Sequence, residues 1–162
     1  MSAITFRFAR SARTVMPMTY SIQIAIDTRF PHEQADWWAE TLGWQVEPSD
    51  EGFIRSMISK GFATQEQTSL HNGVLVWKDG AAIRKAGDDG PSPRERILFQ
   101  AALEAKTVKN RVHLDVRLGE DSKDELRARL EARGATFLWE ASQGPHNWFT
   151  MADPEGNEFC IS

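Results

Sequence analysis

Residues 20–27 alternate between apolar and polar positions, with Ile22, Ile24 and Ile26 on one face and Gln23, Ala25 and Asp27 on the other. That period of two predicts a half-buried strand. A turn around Phe30, Pro31 and His32 then leads into a predicted helix over 33–41, where Ala35, Trp38, Ala39 and Leu42 recur at helical spacing and Gly43 supplies the stop. A second strand follows over 44–47. Residues 111–118 repeat the opening pattern more sharply, with Val112, Leu114, Val116 and Leu118 facing one way and Arg111, His113, Asp115 and Arg117 the other. Ser122 and Glu125 have the spacing of a capping box, and Leu126 and Leu130 with Ala128 and Ala132 mark a helix that ends at Gly134. The next strand covers 135–139.

The middle of the chain is less regular. Short strands are predicted over 53–58, 73–77 and 97–100, and residues 79–95, with Gly, Pro and many charges, read as an exposed loop. The two regular stretches match one another as strand, helix, glycine, strand: 22–47 against 112–140, with Gln23 opposite His113 and Gly43 opposite Gly134. Their tails compare as well, since 74–79 leading to 97–100 resembles 149–153 leading to 158–161. The pattern is that of an internally duplicated chain.

Composition narrows the setting. The 162 residues, 41% hydrophobic and 26% charged, suit a globular domain, and no apolar run approaches the roughly 18 residues needed to span a bilayer. The net charge of −4, with basic residues dispersed among acids, argues against nucleic acid as a partner. A membrane partner is not expected either. The single cysteine, Cys160, excludes an internal disulfide and a multi-thiolate zinc site, and it is consistent with a cytoplasmic protein. Residues 1–18 carry Arg7, Arg10 and Arg13 with serines and no acid. This reads as an N-terminal extension preceding the domain, with a transit segment as the other reading.

Three segments carry a resemblance: Gln23 to Asp27 followed by Trp37, Trp38, Leu42 and Gly43; KTVKNRVHLD, ending at Asp115; and MADPEGNEFC, ending at Cys160. In these the chain resembles the vicinal oxygen chelate superfamily and, within it, glyoxalase-like domains. The resemblance implies an α+β fold over 19–162, in which two βαβββ modules, about 19–105 and 106–162, form a curved eight-strand mixed sheet around a cleft with helices outside. Family metal sites draw a ligand from the first and fourth strands of each module. Mapped onto this chain, those positions are Gln23, Gln100, His113 and Glu158. An acid is usual where Gln100 stands, so the resemblance implies at most a weakly bound divalent ion such as zinc, nickel or manganese.

The residues can also be read without the family. One imidazole, one carboxylate and two neutral amides make a poor set for holding a divalent ion against water. His113 can instead sit without an ion, hydrogen-bonded to Asp115 or Glu158. A carboxylate in a partly apolar cleft tends to a raised pKa, which would suit Glu158 for proton abstraction beside a carbonyl. Trp38 reads as core, Trp37 and Trp44 as a module or subunit contact, and Trp77, Trp139 and Trp148 as cleft walls. Cys160 shares the Glu158 side of its strand and reads as a small buried thiol. His32 and His71 read as solvated turn residues, while His146 could reach over the cleft.

Two functions follow from these residues. One is a small-molecule lyase or isomerase of glyoxalase type, with Glu158 as base, His113, Gln23 and Gln100 holding a metal or polarising an oxygen, and Asp115 and the tryptophans contacting substrate. The other is a non-catalytic protein that sequesters a drug-like aromatic molecule, as bleomycin-resistance proteins do. A homodimer is expected, built on sheet edges and an exposed Trp37–Trp44 patch.

Overall fold

The structure, a computed structural model, describes residues 22–88 and 95–162. The N-terminal extension, the first two residues of the opening strand and part of the 79–95 loop lie outside the described residues. The first half of the chain runs β1 (Ile24–Thr28), α1 (Pro31–Leu42), β2 (Gln45–Val46), α2 (Glu51–Ser59), β3 (Thr68–His71), β4 (Val74–Trp77), β5 (Gly80–Arg84) and β6 (Arg96–Ala101). The second runs β7 (Leu114–Val116), α3 (Lys123–Ala132), β8 (Thr136–Gln143), β9 (His146–Ala152) and β10 (Glu158–Ile161).

The strands form two sheets of four, ordered β1-β6-β5-β2 and β7-β10-β9-β8, with β3 and β4 as a separate hairpin. Within each sheet the first strand lies parallel to the last, and the other neighbours are antiparallel. The duplication read from the sequence is therefore a duplication of topology. Among the described residues the eight strands are hydrogen-bonded as these two sheets rather than one, and β1 and β7 are each a free edge.

The halves differ at one place. In the second, β8 turns into β9 through Gly144 and Pro145, whereas residues 47–79 separate β2 from β5 in the first and contain α2 and the β3–β4 hairpin. Two expectations are corrected in the first half. Residues 53–58 are helical, because Phe53, Ile54, Met57 and Ile58 follow helical spacing and the Asp50 carboxylate caps the start by accepting the Phe53 N–H at 2.8 Å. The 79–95 loop opens with a strand, β5, whose Ala81, Ala82 and Ile83 are buried although charged residues flank them.

One core serves both halves. Ala35, Trp38 and Ala39 of α1 and Ile97 and Phe99 of β6 join Leu126 and Leu130 of α3 and Met151, Phe159 and Ile161 of the second sheet in a single buried cluster. Aromatic edges make the join: the Trp38 and Trp37 rings lie 5.0 and 5.9 Å from Phe159. The Trp37 indole N–H also donates to the Arg133 carbonyl at 2.9 Å. Trp37 is thus spent on the contact between halves, and Trp44 packs against the core, so the exposed Trp37–Trp44 patch expected for a dimer is not present.

Candidate functional site

In the parallel pair β7–β10, Phe159 sits opposite Leu114 and Cys160 opposite Asp115. Phe159 and Ile161 point into the core. Alternation therefore sends Glu158 and Cys160, with His113 and Asp115 beside them, to the other face of the sheet. His113 and Glu158 line a cleft of about 620 Å³ together with Ile24, Ala25, Ile26 and Asp27 of β1 and the connecting segment 104–112. Its walls include Val108 and Val112, both largely exposed to solvent, and the partly exposed Ile24.

The connection carries the polar centre of this cleft. Lys106 Nζ lies 3.0 Å from Glu158 Oε2, and the Asn110 N–H donates to the same oxygen at 2.9 Å. Asn110 also donates through its side chain to Asn157 Oδ1 at 3.3 Å. The KTVKN and DPEGNE segments therefore grip each other. Beneath them, Asp153 organises the turn: one carboxylate oxygen accepts the Glu155 and Asn157 N–H groups at 3.0 and 2.9 Å, and the other accepts the Trp38 indole at 3.2 Å. Glu155 reaches across to accept the Arg29 N–H at 3.1 Å.

These contacts set the acidities. Burial pulls the Glu158 carboxyl upward, but the Asn110 N–H and the Lys106 ammonium outweigh it, and its pKa falls below the ordinary carboxylate range. The raised pKa expected for this residue is overturned, because a cation and an amide already hold its charge. Burial pushes the Asp153 carboxyl up despite its donors. It pushes the Cys160 thiol up as well, with Asp115 adding to the effect and Thr150 opposing it. Cys160 is accordingly a protonated thiol and a weak nucleophile.

The structure divides the remaining candidates. His113 Nδ1 lies 3.1 Å from Asp115 Oδ1, and one donor atom each from His113, Asp115 and Cys160 fall within 4.8 Å of one another. Gln23 and Gln100 are outside the cleft lining: Gln23 accepts from the Arg96 guanidinium, and Gln100 lines a second cavity with Trp77. The four positions that would hold a family-type metal are not gathered in one lining, and Glu158 is already paired. Trp148 is half-buried on β9 opposite Ala141, Trp139 is partly exposed on β8 opposite Thr150, and His146 is exposed at the start of β9. None of these three lines either cavity.

His32 and His71 are not solvated turn residues. The His32 ring donates from Nε2 to the Trp77 carbonyl at 2.8 Å and stacks on His71 at 5.0 Å, while His71 Nε2 meets Asp36 Oδ2 at 2.7 Å. Lys106 and Asn110 had no role assigned from the sequence. Their signal was present in the KTVKN run, but nothing local shows that it closes on a turn some 50 residues later.

Paired βαβββ halves with a polar-centred cleft beside their first strands define a recognisable class of α+β protein. The glyoxalase-like domain family matches residues 23–162, and the chain belongs to that family, within the vicinal oxygen chelate superfamily. Solved structures agree at the level of fold. The genomically encoded fosfomycin resistance protein FosX from Listeria monocytogenes is similar with a TM-score of 0.56 at 10% identity, over 89% of this chain and 92% of that one. A glyoxalase family protein from Bacillus cereus gives 0.53 at 14% identity, over 93% and 97%. A glyoxalase/bleomycin resistance protein/dioxygenase family enzyme from Burkholderia phytofirmans gives 0.51 at 17%, over 86% and 94%. No curated protein matches the sequence.

Proposed function

We propose that the chain binds a small organic molecule in the cleft between its halves and holds it without turning it over. The observation that carries this reading is the commitment of Glu158 to Lys106 and the Asn110 N–H. A general base works best with a pKa near the working pH, and the Asn110 N–H and Lys106 ammonium on Oε2 hold this carboxyl in its charged form, with its pKa lowered. The Oε1 oxygen of Glu158 and the further hydrogens of the Lys106 ammonium still offer an acceptor and a donor, in a lining they share with the apolar Ile24, Val108 and Val112. A cleft of about 620 Å³ falls within the usual range for a drug-sized ligand. The test is a thermal-shift screen of small organic molecules. A hit that raises the melting temperature of the wild type but not of Lys106→Ala, and that is recovered chemically unchanged, supports the reading. Recovery of a converted product overturns it.

A second reading, lyase or isomerase chemistry supported by a divalent ion, is favoured by the proximity of His113, Asp115 and Cys160. Imidazole nitrogen, carboxylate oxygen and thiolate sulfur suit zinc better than manganese. Calorimetric titration of zinc after chelator treatment distinguishes the readings. Stoichiometric binding that disappears in both His113→Ala and Cys160→Ser favours the second, and no binding removes its support.

A further inference from the structure

A strand sends successive side chains to opposite faces, so a cavity lying on one face meets every second residue. The cleft is lined instead by four consecutive residues of β1, Ile24, Ala25, Ile26 and Asp27, and by the consecutive His113 and Leu114 where β7 begins. It therefore meets β1 along its edge. Only β6 pairs with β1, and among the described residues no hydrogen bond reaches the outer side of residues 24–27. The segment 104–112, which lines the same cleft, forms no strand. Among the described residues its one main-chain N–H with a partner is that of Asn110, which donates to Glu158.

Spacing decides what such an edge can take. The outward N–H and C=O groups of a strand recur at every second residue, about 6.8 Å apart, and a chain with the same repeat meets them in series. A compact ring system meets one pair at most. β1 is five residues long, so a partner of similar length covers it. Charge and side chains narrow the class further. The lining carries four basic and four acidic side chains, a balance that selects neither sign of ligand. Ile24, Val108 and Val112 stand 43%, 76% and 82% exposed around the same space, and they offer contacts to apolar side chains.

We infer that the ligand of the cleft is a short neutral peptide with apolar side chains, bound extended along the free edge of β1 as one more strand of the first sheet. Main-chain bonds to β1 supply the attachment, and Ile24, Val108 and Val112 choose among side chains. The inference rests on the reading of the cleft as a site that binds without turnover and names the class of molecule held there.

NMR titration of the labelled full chain with acetyl-valyl-seryl-valyl-seryl-valinamide, an uncharged peptide, tests it. Alternate main-chain amides within residues 24–28 should shift and exchange more slowly with solvent when the peptide binds. Two analogues separate strand pairing from apolar contact, one N-methylated at every valine and the other at every serine, because alternate amides of an extended chain point to opposite sides. One analogue should bind more weakly on the order of ten-fold, equivalent to about 1.4 kcal/mol, and the other should bind like the parent. Binding without slowed exchange in β1, or equal binding of the two analogues, overturns the inference. So does slowed exchange of the same amides in the free protein as its concentration rises, which would assign the edge to a second copy of the chain. If the peptide fails to bind while a non-peptide molecule stabilises the wild type and not Lys106→Ala, the inference falls and the reading of the cleft stands. Recovery of the peptide chemically converted, after binding along β1, overturns the reading of the cleft and leaves the strand pairing in place.

Discussion

Asp153 is the residue on which both the turn and the join between halves depend. Its carboxylate accepts from the Trp38 indole, from the Glu155 and Asn157 N–H groups and from the Asn157 side chain. Asp153→Ala leaves those donors unmet in a buried place, at a cost of about 1–3 kcal/mol per stranded group. Denaturant melts of Asp153→Ala, Trp38→Phe and the double variant should show coupling of at least about 0.5 kcal/mol, because the partners share one bond. Strict additivity would refute this role.

Glu158 makes a pH prediction of opposite sign to that of Asp153. Its folded pKa lies below the ordinary value of 4.5, so its stabilisation is complete above that value and is lost as pH falls through the folded pKa. Asp153 is raised above its ordinary 3.8, so its contribution is present below that value and is lost as pH rises through the folded pKa. Glu158→Gln should therefore melt with a shallower acid-side decline than the wild type. An identical decline in both proteins would show that the Lys106 pair does not couple folding to protons.

At the scale of elements, legibility followed periodicity. β7 and β10 were readable because apolar and polar residues alternate cleanly about Leu114 and Phe159, and α3 because Ser122 caps it by accepting the Glu125 N–H. Residues 53–58 were misread since Phe53, Ile54, Met57 and Ile58 are dense enough to suit a short strand as well as a helix, and only the Asp50 cap decides. β5 was hidden by the charges on either side of three small apolar residues. The candidate site was legible as two motifs and not as a place, because Lys106, Asn110 and Glu158 meet only through tertiary folding.

One element also bears on association. β8 closes an outer edge of its sheet, and it leaves Leu138 and Trp139 partly exposed there. An edge with unpaired backbone groups and large apolar side chains favours a second copy of itself. We expect a homodimer built on β8, which Trp139→Lys should dissociate. Light scattering that returns the monomer mass of 18.3 kDa for the wild type at micromolar concentration contradicts this.

For the whole molecule, the two halves are alike in topology but not independent in energy. Their buried side chains form one cluster, and its join is Phe159, 1% exposed, against the Trp37 and Trp38 rings of the other half. A duplicated chain with two separate cores would unfold in two steps, whereas a shared core ties the halves into one cooperative unit. Phe159→Ala should cost about 3–5 kcal/mol and lower the melting temperature without splitting the transition. Hydrogen exchange read by mass spectrometry locates the effect: peptides covering β6 in the first half and β9 in the second should lose protection together, in wild type and variant alike. If β6 stays protected in Phe159→Ala while β9 exchanges freely, the halves fold separately and the cleft between them is a docking seam between two small domains.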